Sequence, residues 1–375
     1  MKFKYPQKLD KIFAKLISYG ARVVIVGGFV RDSILGINSL DIDVEIYQIN
    51  SFEMLESILD EFGSVNSVGK SFGVCKLDFD ELKLDFTLPR SDSKVADGHL
   101  GFEVKIDTSL DYKSASSRRD FTINTIGYDV VSKTILDPFN GVEDLQNRFL
   151  KVVDAHKFGE DPLRILRAMQ FCARFDLSAD DKLVNICKTM CHQNVLKQLP
   201  QERTFEEFSK LFLKSHEPSI GLEFLKEIEA FNFFNELVME KEKWHFTLKA
   251  LDRCTKNITL KLAVVCFKMD EKNTDSFVLK LTNQKKILRE IKQLHHIANF
   301  LQGGKTTLKY SLTKDINLDI LKNFLDAIDV KRKNLQSLKP QIHGKDLIKL
   351  GFKPSKEFSN LLQMVYEMQL IQKPK

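Results

Sequence analysis

Along the first 150 residues, apolar positions alternate between a helical spacing and short, β-branched runs. Apolar residues three and four apart predict helices over Tyr5–Ser18, Phe29–Leu35 and Ser51–Phe62. Compact or alternating apolar runs predict strands over Val23–Val26, Ile42–Tyr47, Val74–Asp78 and Leu82–Leu88. Helices and strands interleaved in this way build a sheet covered by helices. The stretch from Pro89 to Phe102 is polar, contains two glycines and predicts a flexible loop. From Asp161 onward the strand signal nearly vanishes. Long helical periodicities rich in Leu, Phe, Lys and Glu take over, with breaks near Leu199-Pro200, His216-Glu217-Pro218, Gly303-Gly304 and Pro340. The fold class this pattern predicts is α+β: an N-terminal head with a mixed β-sheet and helices, followed by an all-α remainder.

Totals narrow the picture only a little. A chain of 375 residues is too long for one ordinary core and implies two or more domains. Its composition, 43% hydrophobic and 29% charged, is that of a folded soluble protein. There is no run of about 18 apolar residues, so no transmembrane helix and no membrane partner are expected. The first residues mix charges through an amphipathic pattern and lack the apolar core of a signal peptide. Six scattered cysteines fit a reducing cytoplasm better than a disulfide framework, so a cytoplasmic location is expected. A net charge of +6 and a pI near 8.8 permit an acidic partner such as RNA without demanding one.

The candidate chemistry begins between Val24 and Val44. An apolar run leads into Gly27-Gly28, where no Cβ blocks the approach of a phosphate to the backbone. Asp41 and Asp43 follow on the next strand, and residues two apart in a strand project to the same side. Two hard oxygen ligands so spaced suit Mg²⁺, which needs only one or two carboxylates plus substrate phosphates. An exposed loop and a plain Gly-Gly turn are the alternative reading. Asp85 lies among alternating apolar residues and, on a neighbouring strand, would add a third acidic group assisting the metals or an attacking hydroxyl. Arg118-Arg119-Asp120 could present a guanidinium to triphosphate oxygens or form a surface ion pair. In Phe158–Phe171, the spacing of Asp161, Arg164 and Arg167 places them on one helix face. Held there, an Asp and an Arg could hydrogen-bond the Watson–Crick edge of a base; an ordinary ion pair is the alternative.

Taken together, these stretches resemble the class II tRNA nucleotidyltransferases, the CCA-adding enzymes, within the polymerase-β-like nucleotidyltransferase and poly(A) polymerase superfamily. The likeness runs through residues 27–44, 116–129 and 135–153 of the head, then 158–171 and 199–212 of the helical part, with a fainter echo at 343–358. The resemblance implies a catalytic head at 1–150, a nucleobase-recognising neck at 151–215, a body at 216–290 and a tRNA-contacting tail at 291–375. It implies that Gly28 and Arg31 contact the triphosphate and that Asp41 and Asp43 hold two Mg²⁺ ions. It further implies that Arg119 binds the nucleotide, that Asp161 and Arg164 read cytosine and adenine, and that Arg167 supports the phosphates. The implied reaction adds the 3′-terminal CCA to tRNA, held by its acceptor and TΨC arms. The tRNA 3′-hydroxyl attacks the α-phosphate of CTP or ATP and pyrophosphate leaves. The loop at Pro89–Phe102 falls where the family has a flexible loop needed for switching from C to A addition.

The sequence also departs from the family. Gln170 stands where many relatives carry a further arginine, which implies weaker or rearranged phosphate contacts. Some relatives carry a metal-dependent HD phosphohydrolase domain after the neck, and Trp244–Leu248 echoes its start. Where a His-Asp pair would follow, the chain reads Cys266-Phe267-Lys268-Met269-Asp270, a helical body without that chemistry. Cys187, Cys191 and His192 lack a second ligand pair for zinc and read as buried free thiols with a helical histidine. His295-His296 reads as a surface or interior pair. Lys285-Lys286, Lys331-Arg332-Lys333 and the Lys-Pro-Lys end are candidate contacts for an RNA backbone. The rival readings are a bacterial poly(A) polymerase, a partial enzyme adding only CC or only A, and a catalytically silent tRNA-binding protein.

Overall fold

The structure is a computed structural model and describes residues 3–66, 73–94, 102–302, 316–330 and 340–371. The chain divides into two compact units, one of residues 1–172 with 176–199 and one of residues 173–175 with 200–375. The division at Leu199–Pro200 falls inside the segment expected as a single neck, 151–215.

The first unit is built on a mixed sheet. Its strands are β1 (Arg22–Val26), β2 (Asp41–Tyr47), β3 (Ser64–Asn66), β4 (Val74–Phe79), β5 (Leu82–Thr87), β8 (Gly127–Asp129) and β9 (Thr134–Leu136), in the order β3-β4-β5-β2-β1-β8-β9. β2 pairs antiparallel with β1 and parallel with β5; the remaining neighbours are antiparallel. Val23, Val24 and Ile25 on β1 and Ile42, Val44 and Ile46 on β2 are fully buried, so these central strands are β-branched for a packing reason. Helices α1 (Asp10–Ser18) and α3 (Phe52–Leu59) pack against the sheet and each other through Ile12, Phe13, Leu16, Leu55 and Leu59. Helix α2 (Gly28–Ile34) starts one residue earlier than the periodicity predicts, because Gly27 turns the chain with φ 67°, a conformation that favours glycine.

One expectation is corrected. Pro89–Phe102 is not wholly loop: β6 (Arg90–Lys94) and β7 (Phe102–Ile106) form an antiparallel ribbon, Arg90 opposite Ile106 and Lys94 opposite Phe102. β6 is polar throughout while β7 alternates Phe102, Val104 and Ile106 with Glu103 and Lys105, so only one strand of the pair carries a strand signal, and it starts at the very end of the expected loop. The part of this stretch between the two strands lies outside the described residues.

Helices α4 (Tyr112–Ser116), α5 (Gly141–Gln146) and α6 (Ala155–Gly159) lead into α7 (Leu163–Phe175) and α8 (Asp181–His192). Short strands β10 (Phe149–Leu150) and β11 (Ser178–Ala179) pair in parallel on either side of α7 in sequence. Cys187 and Cys191 are buried free thiols, as are the other four cysteines.

The second unit is helical: α9 (Gln201–Lys214), α10 (Ser219–Glu227), α11 (Lys241–Arg253), α12 (Ile258–Cys266), α13 (Glu271–Leu281) and α14 (Lys285–Gln302), with further helices at Leu318–Ala327, Gly344–Lys349 and Lys356–Ile371. Phe208, Phe212, Phe234 and Phe277 form its aromatic centre, with Phe208 and Phe234 ring centroids 5.3 Å apart. Cys266 is fully buried, and Asp270 caps α13 by accepting from Asn273 N at 2.7 Å. His295 is half-buried, its Nε2 2.7 Å from Ala263 O and its ring stacked on Phe324, while His296 is exposed. Lys331–Lys333 and the C-terminal Lys-Pro-Lys lie outside the described residues. Among the described residues no helix is long and apolar enough to cross a membrane.

The start of α5 tests the packing of the first unit. Asp137 accepts from Gly141 N at 2.7 Å and Val142 N at 2.9 Å, and this seats Gly141 directly on the Thr122 carbonyl. A Cβ has no room there, and the obstacle is backbone. Gly141→Ala should cost about 2–3 kcal/mol in urea denaturation, the size of an overpacked core.

Candidate active site

Strand β2 sets the geometry. Its inward alternation places Ile42, Val44 and Ile46 in the core, so Asp41, Asp43 and Glu45 share the opposite face. Because β2 and β5 are parallel, Asp85 is the register partner of Asp43. Lys76 on β4 closes the acidic side by donating to Asp85 Oδ2 at 2.8 Å. The Asp43 carboxyl is pushed up from 3.8 to about 6, first by burial and then by Asp41 and Asp85, with Arg119 opposing.

The basic side of the site comes from Arg118 to Asn124. Arg119 Nη1 donates to Asn124 O at 2.7 Å, and its Nη2 reaches Glu45 Oε2 at 3.5 Å. Arg118 Nη2 donates to Glu45 Oε1 at 3.2 Å, and the Tyr47 phenol donates to Glu45 Oε2 at 2.7 Å. Burial would push Glu45 up, but Arg119, Arg118 and the phenol together hold it below the ordinary carboxylate range. Gly27 lies between the two sides: a Cβ added there would be 3.5 Å from Arg119 Nη1 and 3.8 Å from Asp43 Oδ2. These groups line a cavity of about 320 Å³ with Gly27, Asp43, Glu45, Asp85, Arg90, Arg118 and Arg119 in its wall. Larger cavities of about 640 Å³ around α13 and α14, and about 580 Å³ beside the N-terminal segment, contain none of these carboxylates.

Helix α7 reaches the same segment. Arg164 Nη2 donates to Arg118 O at 2.7 Å, and Arg167 Nε donates to Asp120 Oδ2 at 2.6 Å. Asp120 in turn accepts from Asn124 Nδ2 at 2.8 Å. Burial works against the charged form of Asp120, yet Arg167, Asn124 and Arg164 hold its carboxyl below the ordinary range. Arg164 Nη1 is buried and has no hydrogen-bond partner among the described residues. An unsatisfied buried donor costs about 1–3 kcal/mol, which an acceptor on a ligand would relieve.

Two placements differ from the sequence reading. Asp161 is not on the helix face with Arg164 and Arg167; it precedes α7, where its Oδ1 accepts from Leu163 N at 3.0 Å. The following Pro162 favours a helix start over helical continuation, so the i, i+3 spacing could not carry Asp161 onto the face. Arg31, expected at the triphosphate, is 4% exposed, donates to Asp32 and Asn124, and stacks over the Phe171 ring. Its Nη2 lies 3.6 Å from where a Gly28 Cβ would be, and Arg31 is not among the residues lining the cavity. Gln170 is buried, with its Oε1 unpartnered among the described residues.

Sequence reasoning missed Glu45 and Asn124, and it named Asp120 only within the Arg118-Arg119-Asp120 stretch, without its partner Arg167. Glu45 was legible: it continues the period-two series begun by Asp41 and Asp43. Asn124 carried no comparable signal, since its contact with Arg31 comes from 93 residues away.

The acidic face fits a hard divalent cation. Charged Asp43 is disfavoured by burial and by its carboxylate neighbours Asp41, Asp85 and Glu45, which a cation would offset. Among the described residues no three His, Cys, Asp or Glu side chains form a closed metal cage. Mg²⁺ does not require one, because it completes its shell with water and substrate phosphates.

Comparison with known proteins agrees with this geometry. Residues 23–151 match the family model of the Poly A polymerase head domain. Sheet, acidic face and flanking arginines define a nucleotidyltransferase. The CCA-adding enzyme of Francisella tularensis subsp. novicida (strain U112) is 30% identical over 323 residues, spanning 83% of this chain and 84% of that protein. The chain belongs to the CCA-adding enzymes, which are tRNA nucleotidyltransferases. The CCA-adding enzyme of Francisella tularensis subsp. tularensis (strain FSC 198) is 29% identical over 325 residues, covering 83% of this chain and 86% of that one. The fold is shared with the Thermotoga maritima CCA-adding enzyme complexed with tRNA, at TM-score 0.74 and 20% identity over 99% of this chain and 93% of that one.

The raised Asp43 carboxyl has a measurable consequence. An acid whose folded pKa exceeds its unfolded value destabilises the fold when charged, and this penalty disappears as pH falls. In metal-free protein, Asp43→Asn should therefore raise the thermal unfolding midpoint above pH about 6, and the advantage should fade toward pH 3.8.

Proposed function

We propose that this enzyme adds the 3′-terminal CCA to tRNA without a nucleic-acid template, using CTP and ATP and depending on Mg²⁺. The observation that carries this reading is the connection of the Asp41–Asp43–Asp85 face, through Arg118–Asn124, to Arg164 on α7. Chemistry and base selection then share one rigid wall, as a template-free polymerase requires. The sequence relationship to CCA-adding enzymes, and the neighbouring structures described as complexes with CTP, ATP and tRNA, support the same substrates.

In this reading the tRNA 3′-hydroxyl attacks the α-phosphate of the nucleotide and pyrophosphate leaves. Asp41 and Asp43 would hold two Mg²⁺ ions, which when bound supply charge neutralisation at the phosphates and a more acidic hydroxyl. Asp85, opposite Asp43, assists the attacking hydroxyl. Gly28 and Arg119 receive the triphosphate at the open turn, with Arg31 supporting that turn and Arg167 fixed through Asp120. Asp161 and Arg164 read the Watson–Crick edge, the free Nη1 of Arg164 supplying one donor. The head at 1–150 and neck at 151–215 carry these steps, while the body at 216–290 and tail at 291–375 hold the acceptor and TΨC arms. With tRNA as substrate, the working compartment is the cytoplasm.

A poly(A) polymerase shares the head family and is separated by product. Transcripts ending at the discriminator base, at C or at CC are incubated with labelled CTP and ATP, separately and together. Termination after CCA is expected; a long A tract, or activity confined to one end type, would replace this reading with the polymerase or a partial enzyme. Asp41→Ala and Asp43→Ala should each lower incorporation about a hundred- to a thousandfold, the scale of lost transition-state charge stabilisation. Full activity in either variant would remove the metal assignment.

A further inference from the structure

Glu45 is a carboxylate that nucleotidyl transfer leaves without a task. It is the innermost of the series Asp41, Asp43, Glu45, and it is fully buried. A buried carboxylate persists only when donors surround it. Glu45 has three: Tyr47 Oη at 2.7 Å, Arg118 Nη2 at 3.2 Å and Arg119 Nη2 at 3.5 Å. Arg119 lies between two anions, Glu45 behind it and Asp43 across Gly27. Drawn onto Asp43, the guanidinium would neutralise a reacting carboxylate and turn its donors away from the cavity. Tied to Glu45 and to Asn124 O, it keeps its plane fixed at the cavity wall.

We infer that Glu45 is a positioning residue for the nucleoside triphosphate: it acts through Arg118 and Arg119, setting their guanidinium groups before the nucleotide arrives. This rests on Arg119 as a nucleotide ligand. Orienting donors beforehand avoids ordering them at the moment of binding. Among the described residues Glu45 connects to Arg164 through Arg118, whose side chain meets Glu45 and whose main-chain oxygen accepts from Arg164. Its loss should therefore weaken CTP and ATP alike and leave the preference between them unchanged.

The test compares full-length wild type with Glu45→Gln, Tyr47→Phe and Arg119→Lys. Equilibrium binding of CTP and of ATP is measured beside KM, kcat and thermal unfolding of the same samples. Glu45→Gln should weaken both nucleotides about tenfold and raise both KM values equally, with a smaller loss in kcat. Tyr47→Phe removes one hydrogen bond and no charge, and should shift both affinities about twofold the same way. Unchanged nucleotide affinity in folded Glu45→Gln overturns the inference, as does a loss in kcat with KM unmoved. If Glu45→Gln does not fold, Tyr47→Phe decides on the same criterion. Wild-type affinity in Arg119→Lys overturns it differently, by removing Arg119 as a ligand, and that result is separable because it needs no change at Glu45.

Discussion

Buried charge must be matched by buried charge, and in the first unit this matching is concentrated in Arg118 to Asn124. Arg118 and Arg119 meet Glu45 from β2, Asp120 meets Arg167 from α7, and Asn124 meets Arg31 from α2 and Arg119 from its own turn. Arg31, Glu45, Asp120 and Asn124 are all buried, so each would be costly without its partner. Sheet, turn and helix are consequently placed by the same few side chains. A site assembled in this way has little freedom to be partly right.

The register of β2 is the second determinant. Its parallel pairing with β5 sets Asp85 beside Asp43, and its antiparallel pairing with β1 brings Val26 opposite Asp43 and thus the Gly27 turn to the acidic face. A slip of one residue would bury Asp43 in the core and expose Val44, so hydrophobic packing and site geometry enforce one another.

Much of this was legible from the chain. The period-two run of β2 revealed the shared face of Asp41 and Asp43, and the apolar spacing found α1, α2 and α3 to within a few residues. What escaped was of two kinds. The first strand of the β6–β7 ribbon, Arg90–Lys94, has no apolar residue, so its pairing with Phe102–Ile106 left no hydrophobic signal on that side. The partners of Arg31 and Asp120 lie across elements, and local spacing cannot reveal a contact such as Asp120 with Arg167. The helix-face placement of Asp161 was misread for a third reason: a helical spacing was extended across a proline that begins the helix.

The pairing of β10 with β11 has a mechanical consequence. Ser178 N donates to Arg148 O at 2.8 Å and Asp180 N to Leu150 O at 3.2 Å, just past the C-terminus of α7. Near the other end of that helix, Arg164 and Arg167 are fastened to Arg118 and Asp120. Fixed at two points, α7 resembles a beam built into a wall at both ends rather than a lever on a hinge. An enzyme that accepts one base and later another on such a beam would adapt through side-chain rotamers, which move in nanoseconds, more readily than through slow collective rotation.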